Sequence, residues 1–238
     1  MKKIIIILFV VLIIIFSLLL TVWEKKLCDA RNEIDSLKSA LSDIETRIAE
    51  KDEELKSINI LINNSNILLS TVYYGTAEPI EGGPEENFTA FGLFYKDKFY
   101  LITAGHCIEN DDLKYTNFKF KSNSSESFIY PKLLDYNNDN KNNKDYAIFR
   151  SNFVRNGLLI YDEDKEPKYV LGNAEKRINF FKKFNTAIRG ESGSPILNSK
   201  CRLVGVVIKN NDQYTPIEVV TEAIDKLIET TGKSEQSY

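Results

Sequence analysis

Leu101-Ile102-Thr103-Ala104-Gly105-His106-Cys107 runs out of an apolar stretch onto the only histidine in a chain of 238 residues. Apolar and β-branched residues here read as a strand, which sets an imidazole at its end. Imidazole is the side chain whose ordinary pKa lies near neutrality, so it can accept and return a proton. Further along, Lys144-Asp145-Tyr146-Ala147-Ile148 sets an acid at the start of another apolar strand. Gly190-Glu191-Ser192-Gly193-Ser194-Pro195 then reads as a glycine-flanked turn that presents a serine hydroxyl. Asp135 and Asp139, in the preceding Asn-rich loop, compete for the role of the acid, but only Asp145 borders a strand-like run.

A hydroxyl is a weak nucleophile at neutral pH; it needs a base beside it, and the base needs an orienting acid. Ser192, His106 and Asp145 supply those three parts. The backbone N–H groups of Gly190 and Ser192 are the expected oxyanion hole, with the glycine leaving its amide unobstructed.

These segments resemble the signatures of the trypsin-like, chymotrypsin-fold serine proteases: Thr-Ala-Gly-His-Cys, Asp-x-Ala-hydrophobic and Gly-Asp-Ser-Gly-x-Pro. Their order along the chain, His then Asp then Ser, is also that family's. The match runs from about Ser70 to Ile228 and is more similar to the compact bacterial and viral branches and the HtrA-like proteases than to digestive trypsins. Leu203-Val204-Gly205-Val206-Val207 is similar to the strand after the serine, and Tyr214-Thr215-Pro216-Ile217 to the family's C-terminal end. The resemblance implies a mostly β fold of two antiparallel β-barrels with a cleft between them and a C-terminal helix. It also implies peptide-bond hydrolysis through an acyl-enzyme, with protein or peptide substrates and no cofactor. Thr186, Ala187, Val207 and Ile208 are the expected walls of a pocket for neutral side chains. From the ordinary imidazole pKa, activity is expected to rise as His106 loses its proton, roughly through pH 6 to 7.

The chain departs from the family in several places. Glu191 stands where Asp or Asn usually precedes the nucleophile, and no Ile-Val-Gly-Gly start is present for that acid to pair with. Cys107 has no nearby upstream cysteine, so Cys107 and Cys201 are expected to be free, buried thiols. The short interval between Asp145 and Ser192 points to a trimmed second barrel. A catalytically silent protease fold, used for assembly or binding, stays open as the alternative reading. A phage or viral processing enzyme would share the chemistry and differ in substrate.

Short apolar stretches separated by Gly, Asn, Asp and Pro mark the rest of residues 70–232 as β-rich: Phe99–Thr103, Phe128–Tyr130, Tyr146–Phe149 and Leu203–Ile208. A closing amphipathic helix is expected over Glu218–Glu229. Residues 233–238 read as a disordered tail.

Toward the other end, Ile4 to Trp23 is an almost unbroken apolar run behind Lys2 and Lys3, long enough as a helix to cross a hydrocarbon layer of roughly 30 Å. Residues 1–23 therefore read as a single-pass membrane anchor, with the large domain expected on the extracytoplasmic side. A cleaved signal peptide competes, but the run is too long and no small-x-small site precedes Glu24. Over 24–63, Leu27, Ile34, Leu41, Ile48, Leu55 and Ile62 recur every seven residues, with Ala30, Leu37, Ile44, Lys51 and Ile58 as the intervening core positions. This is the pattern of a coiled-coil stalk. Glu33 with Lys38 and Arg47 with Asp52 favour a parallel register, and hence a homo-oligomer. The pattern leaves dimer and trimer open, as it does one helix folded back on the domain. Asn63, Asn64, Ser65 and Asn66 are expected to break the helix, making 64–69 a linker.

Composition narrows the field. A formal net charge of -3, spread along the chain, excludes a basic surface for nucleic acid. Three scattered cysteines exclude a disulfide framework and match no zinc spacing, so no metal is expected.

Overall fold

The computed structural model describes residues 2–110, 113–122, 125, 127–161, 163–174, 177–184, 191–208 and 213–235, with the backbone alone for 2–8, 10, 11, 61, 173, 174, 177–183 and 231–235. Residues 1–56 and 57–238 form two separate units. Helix α1 (Lys2–Thr71) supplies the described residues of the first unit and the opening of the second.

In the first unit the apolar heptad residues stay solvent-facing: from Leu27 to Leu55 they are 46–63% exposed. Lys51, the one charged residue in that stripe, donates from its ammonium to Glu54 Oε2 at 2.7 Å. Only Phe9 and residues from Leu12 onward have described side chains in the apolar run expected to cross a membrane, and these are exposed. Among the described residues no helix is long and apolar enough to span a membrane.

The helix does not stop at the Asn-rich segment. Asn63, Asn64, Ser65 and Asn66 are helical, and α1 continues to Thr71, so the expected linker over 64–69 is a helical segment. The polar side chains are accommodated by turning back onto the preceding turn: Asn64 donates to the Ile60 carbonyl, Ser70 to that of Ile67 and Thr71 to that of Leu68. Burial further along holds the helix together. Leu68, 4% exposed, is seated in a core with Val72, Phe91 and Leu93. That burial offsets the few tenths of a kcal/mol that each Asn costs in a helix.

Seven strands make the first sheet. They are β1 (Val72–Pro79), β2 (Glu86–Tyr95), β3 (Lys98–Thr103), β4 (Glu109–Asn110), β5 (Leu113–Ser122), β6 (Lys132–Asp139) and β7 (Lys144–Arg150), in the order β4-β5-β1-β2-β3-β7-β6. Its two edges meet through side chains. The Tyr136 hydroxyl donates to the Glu109 carboxylate at 2.6 Å and the Asn138 amide to the Glu109 carbonyl at 3.1 Å. The result is a nearly closed barrel. Five strands make the second sheet: β8 (Tyr169–Ala174), β9 (Arg177–Lys183), β10 (Pro195–Leu197), β11 (Leu203–Val207) and β12 (Tyr214–Pro216), ordered β12-β11-β10-β8-β9. Among the described residues, the second barrel expected from the resemblance is a five-stranded sheet, with a Phe184–Tyr214 edge-to-face contact between its two ends. Of the expected stretch Phe128–Tyr130, only Ile129 pairs, in an isolated bridge to Phe120.

Strands β2, β3 and β7 are buried on both faces, and the period of two in a strand sorts their side chains between two cores. Ala90, Leu101, Ala147 and Phe149 fill the barrel with Phe88 and Phe120. Phe91, Leu93, Ile102 and Ile148 face outward to Leu171, Leu197 and Val206 of the second sheet. Helix α2 (Ile217–Glu235) closes this outer core with Ile217, Val220, Ala223 and Ile224, spaced by three and four residues along one face. It runs past the expected end at Glu229 and takes in the start of the expected tail, while 236–238 lie outside the described residues.

Because Leu68 belongs to the folded core and the adjacent Ile67 is 65% exposed, Leu68→Ala is expected to lower the unfolding free energy by about 2–5 kcal/mol. Ile67→Ala is expected to stay within about 0.5 kcal/mol of the parent. Urea unfolding of the full chain followed by tyrosine fluorescence checks both.

Candidate active site

Strand register brings the first two candidate residues together. In the antiparallel pairing of β3 with β7, Leu101 lies opposite Phe149, Ile102 opposite Ile148 and Thr103 opposite Ala147. Continued past the end of β3, that register sets Gly105 opposite Asp145. A short 3-10 helix over Gly105–Cys107 then turns the chain so that His106 lies on the acid. Gly105 is required there, because a Cβ would stand 1.9 Å from the Asn137 carbonyl oxygen and 2.8 Å from that of Tyr146.

Asp145 is fully buried, and each of its carboxylate oxygens takes one hydrogen bond from His106. The backbone N–H donates to Oδ1 at 2.8 Å, and the ring Nδ1 lies 2.6 Å from Oδ2. The acid therefore fixes both the position of the residue and the tautomer of its ring, with Nδ1 carrying the proton and Nε2 left as the basic nitrogen. Asp135, the competing acid, accepts instead from the Tyr146 hydroxyl at 3.3 Å, and Asp139 caps the next 3-10 turn through the Asn142 N–H. Among the described residues no cluster of His, Cys, Asp and Glu could hold a metal ion.

The serine turn comes from the second sheet and is clamped to the first. The Ser192 carbonyl accepts from the Thr89 N–H of β2 at 3.0 Å, and the Gly193 N–H donates to the Val207 carbonyl at 2.8 Å. Gly193 has φ +84°, a left-handed conformation that favours glycine, and a Cβ there would stand 2.0 Å from Thr103 Oγ1 and 2.1 Å from the Thr89 carbonyl oxygen. The turn is thereby pressed against the end of β3, a few residues before His106. The Ser192 hydroxyl donates to the Ile208 carbonyl at 3.0 Å. Glu191, beside it, is fully buried with its carboxylate against Gly172.

Gly190 of the expected oxyanion hole, with Thr186 and Ala187 of the expected pocket, lies outside the described residues. The other two expected pocket walls are buried: Val207 packs among Val170 and Ile196, and what Ile208 offers the serine is its carbonyl. Sequence reading missed Thr215, whose hydroxyl contacts the backbone of Asp145. The Tyr-Thr-Pro segment pointed to a family resemblance but carried no sign of that contact. Cys107 is free and buried; Cys201 is free and half-buried, and burial pushes its thiol up to about 11.

Burial of the His106 ring works against its charged form, whereas the neighbouring Cys107 sulfur and the Asp145 carboxylate favour it. The balance raises the pKa above the ordinary 6.5. The acid limb expected at pH 6 to 7 therefore moves upward. A histidine whose folded-state pKa is raised contributes stability that is fully present below its unfolded value of about 6.5 and is lost as pH rises through the folded value.

Set beside known structures, the chain is of a recognisable kind: a mostly β fold with a nearly closed barrel, a second sheet and a C-terminal helix. The crystal structure of Rv3671c from M. tuberculosis, a serine-to-alanine mutant in its inactive form, shares 12% identity with a TM-score of 0.51, over 71% of this chain and 90% of that one. The active form of the Rv3671c protease from the same organism shares 13% identity with a TM-score of 0.49, over 66% of this chain and 80% of that one. The first likeness shows a shared fold. No protein-family model and no curated protein matches the chain.

Since His106 is the only histidine, its NMR titration can be followed without assignment. The midpoint is expected above 6.5 and is expected to fall in Asp145→Asn. Stability measured by urea unfolding should decline as pH is raised through the same midpoint.

Proposed function

We propose that the chain is a serine endopeptidase of the trypsin-like kind, with Ser192 as nucleophile, His106 as general base and acid, and Asp145 as the orienting acid. The observation that carries this reading is the buried Asp145 carboxylate holding His106 by both its backbone and its Nδ1. Nε2 is then the nitrogen available to a hydroxyl. In the reaction, Ser192 Oγ leaves the Ile208 carbonyl, attacks the scissile carbonyl carbon and passes its proton to His106 Nε2. The tetrahedral oxyanion is held by the Ser192 N–H, together with that of Gly190. Collapse expels the amine, which takes the proton back from His106, and water repeats the sequence on the acyl-enzyme. Asp145 stays ionised throughout and stabilises the imidazolium.

The apolar run Ile4–Trp23, whose described side chains are exposed, supports tethering to a membrane. The exposed heptad stripe supports a parallel oligomer of the stalk, with Glu33 facing Lys38 and Arg47 facing Asp52 of neighbouring copies. An enzyme of this design acts on proteins at a membrane surface.

The bond from Ser192 to Ile208, in place of one to His106, favours a second reading: a protease fold kept for assembly, with no turnover. A fluorophosphonate probe separates the two. The parent is expected to label and Ser192→Ala not to, while Asp145→Asn lowers kcat on a peptide library about 10⁴-fold. A parent that neither labels nor hydrolyses any peptide between pH 5 and 9 would overturn the enzymatic reading. For the stalk, amine crosslinking of the full chain in detergent is expected to give oligomers, and Leu41→Asp with Ile48→Asp is expected to give monomers.

A further inference from the structure

Asp145 sits where its strand loses a neighbour. The last residue of β3 that pairs with β7 is Thr103, opposite Ala147. Asp145, two residues before Ala147, lies beyond the end of that pairing and is fully buried. A buried main-chain group needs a partner. Thr215 of β12 supplies one to each: its Oγ1 accepts from the Asp145 N–H at 2.9 Å and donates to the Asp145 carbonyl at 2.8 Å.

The hydroxyl is itself fixed in space. Thr215 is fully buried, and it lies opposite Val206 in the pairing of β11 with β12. The end of β11 also holds the serine turn. The Val207 carbonyl accepts from the Gly193 N–H, the Val207 N–H donates to the Ser194 carbonyl, and the Ile208 carbonyl takes the Ser192 hydroxyl. One side chain thus joins the strand that carries the acid to the strand that carries the nucleophile. The acid in turn holds His106 by two hydrogen bonds.

Resting on the enzymatic reading above, we propose that Thr215 is a positioning residue, which registers the Asp145–His106 pair of the first sheet against the Ser192 turn of the second. It touches neither the carboxylate oxygens nor substrate; it acts by holding the backbone from which the carboxylate projects. Small displacements matter at this point, because a misplacement of about 1 Å can cost on the order of 100-fold in rate.

Full-length Thr215→Val, close in shape but without the hydroxyl, and Thr215→Ser, which keeps it, form the test. Thr215→Val is expected to lower kcat about 10- to 100-fold with KM held within about twofold. In the same variant the His106 NMR titration is expected to move toward 6.5 as the carboxylate loosens from the ring. Thr215→Ser is expected to restore both. Parent-like kcat and His106 titration in Thr215→Val would overturn the proposal, and so would a Thr215→Ser variant as impaired as Thr215→Val, since the methyl packing would then be what matters. If Thr215→Val does not fold, Thr215→Cys is measured in its place with the same two outcomes, the thiol keeping the volume and weakening both hydrogen bonds. The His106 signal is read without turnover. A parent that fails to label with fluorophosphonate therefore sinks the enzymatic reading alone, whereas an unmoved His106 titration sinks the positioning role alone.

Discussion

A carboxylate without access to water, Asp145, is the group around which the second unit is organised. Taking an ionised carboxylate out of water costs several kcal/mol, and each charge-assisted hydrogen bond returns about 1.5–3 kcal/mol. The burial is tolerable only because both oxygens are taken by His106 and both main-chain groups by Thr215. The requirement runs in both directions. Asp145 dictates where His106 must lie, and the second sheet must reach far enough to bring Thr215 to the end of the broken ladder.

The same constraint accounts for two of the glycines. With β6, β7 and the His106 turn drawn together around the acid, no space remains for a side chain at Gly105. On the opposite side the serine turn is pressed against Thr89 and Thr103, and Gly193 carries both the left-handed backbone and the absent Cβ that this contact needs. The outer faces of β2, β3 and β7 bury the apolar surface that holds the two sheets together, with α2 closing one side. The local geometry at Asp145 is thus supported by a core extending well beyond it.

Much of this was legible along the chain. The stretches that become β3, β7 and β11 are visible as short apolar runs bounded by turn residues, the mark of strands buried on both faces, and the helix that becomes α2 because apolar residues repeat every three or four. Both are local patterns. The turn at Ser192 was legible from Gly-x-Ser-Gly, since glycine marks backbone that other residues avoid, whereas the 3-10 turn at His106 came only with the structure. The helix runs on through Asn63–Asn66, where a break was expected, because Asn propensity is weak and a distant partner overrides it: Leu68 is drawn into a core built from β2 and β3. Val207 and Ile208 were expected to line a pocket because their stretch resembles the strand that follows the serine in the chymotrypsin-fold proteases. Which way each points depends on the pleat of β11 and on neighbours from β8 and β10.

By itself the sequence determined which residues have chemistry to offer: one histidine at a strand end, an acid at a strand start and a serine between glycines, with an apolar run and a heptad stripe ahead of them. These are properties of single side chains and of short-range periodicity, and they survive without a fold. Only the tertiary structure decided that Asp145 rather than Asp135 or Asp139 meets the imidazole, that Thr215 closes the gap left by β3, and that the Ser192 hydroxyl rests on the Ile208 carbonyl. Each of these is a contact between residues far apart in the chain, set by where one ladder ends and another sheet begins, and no local pattern encodes where a ladder ends.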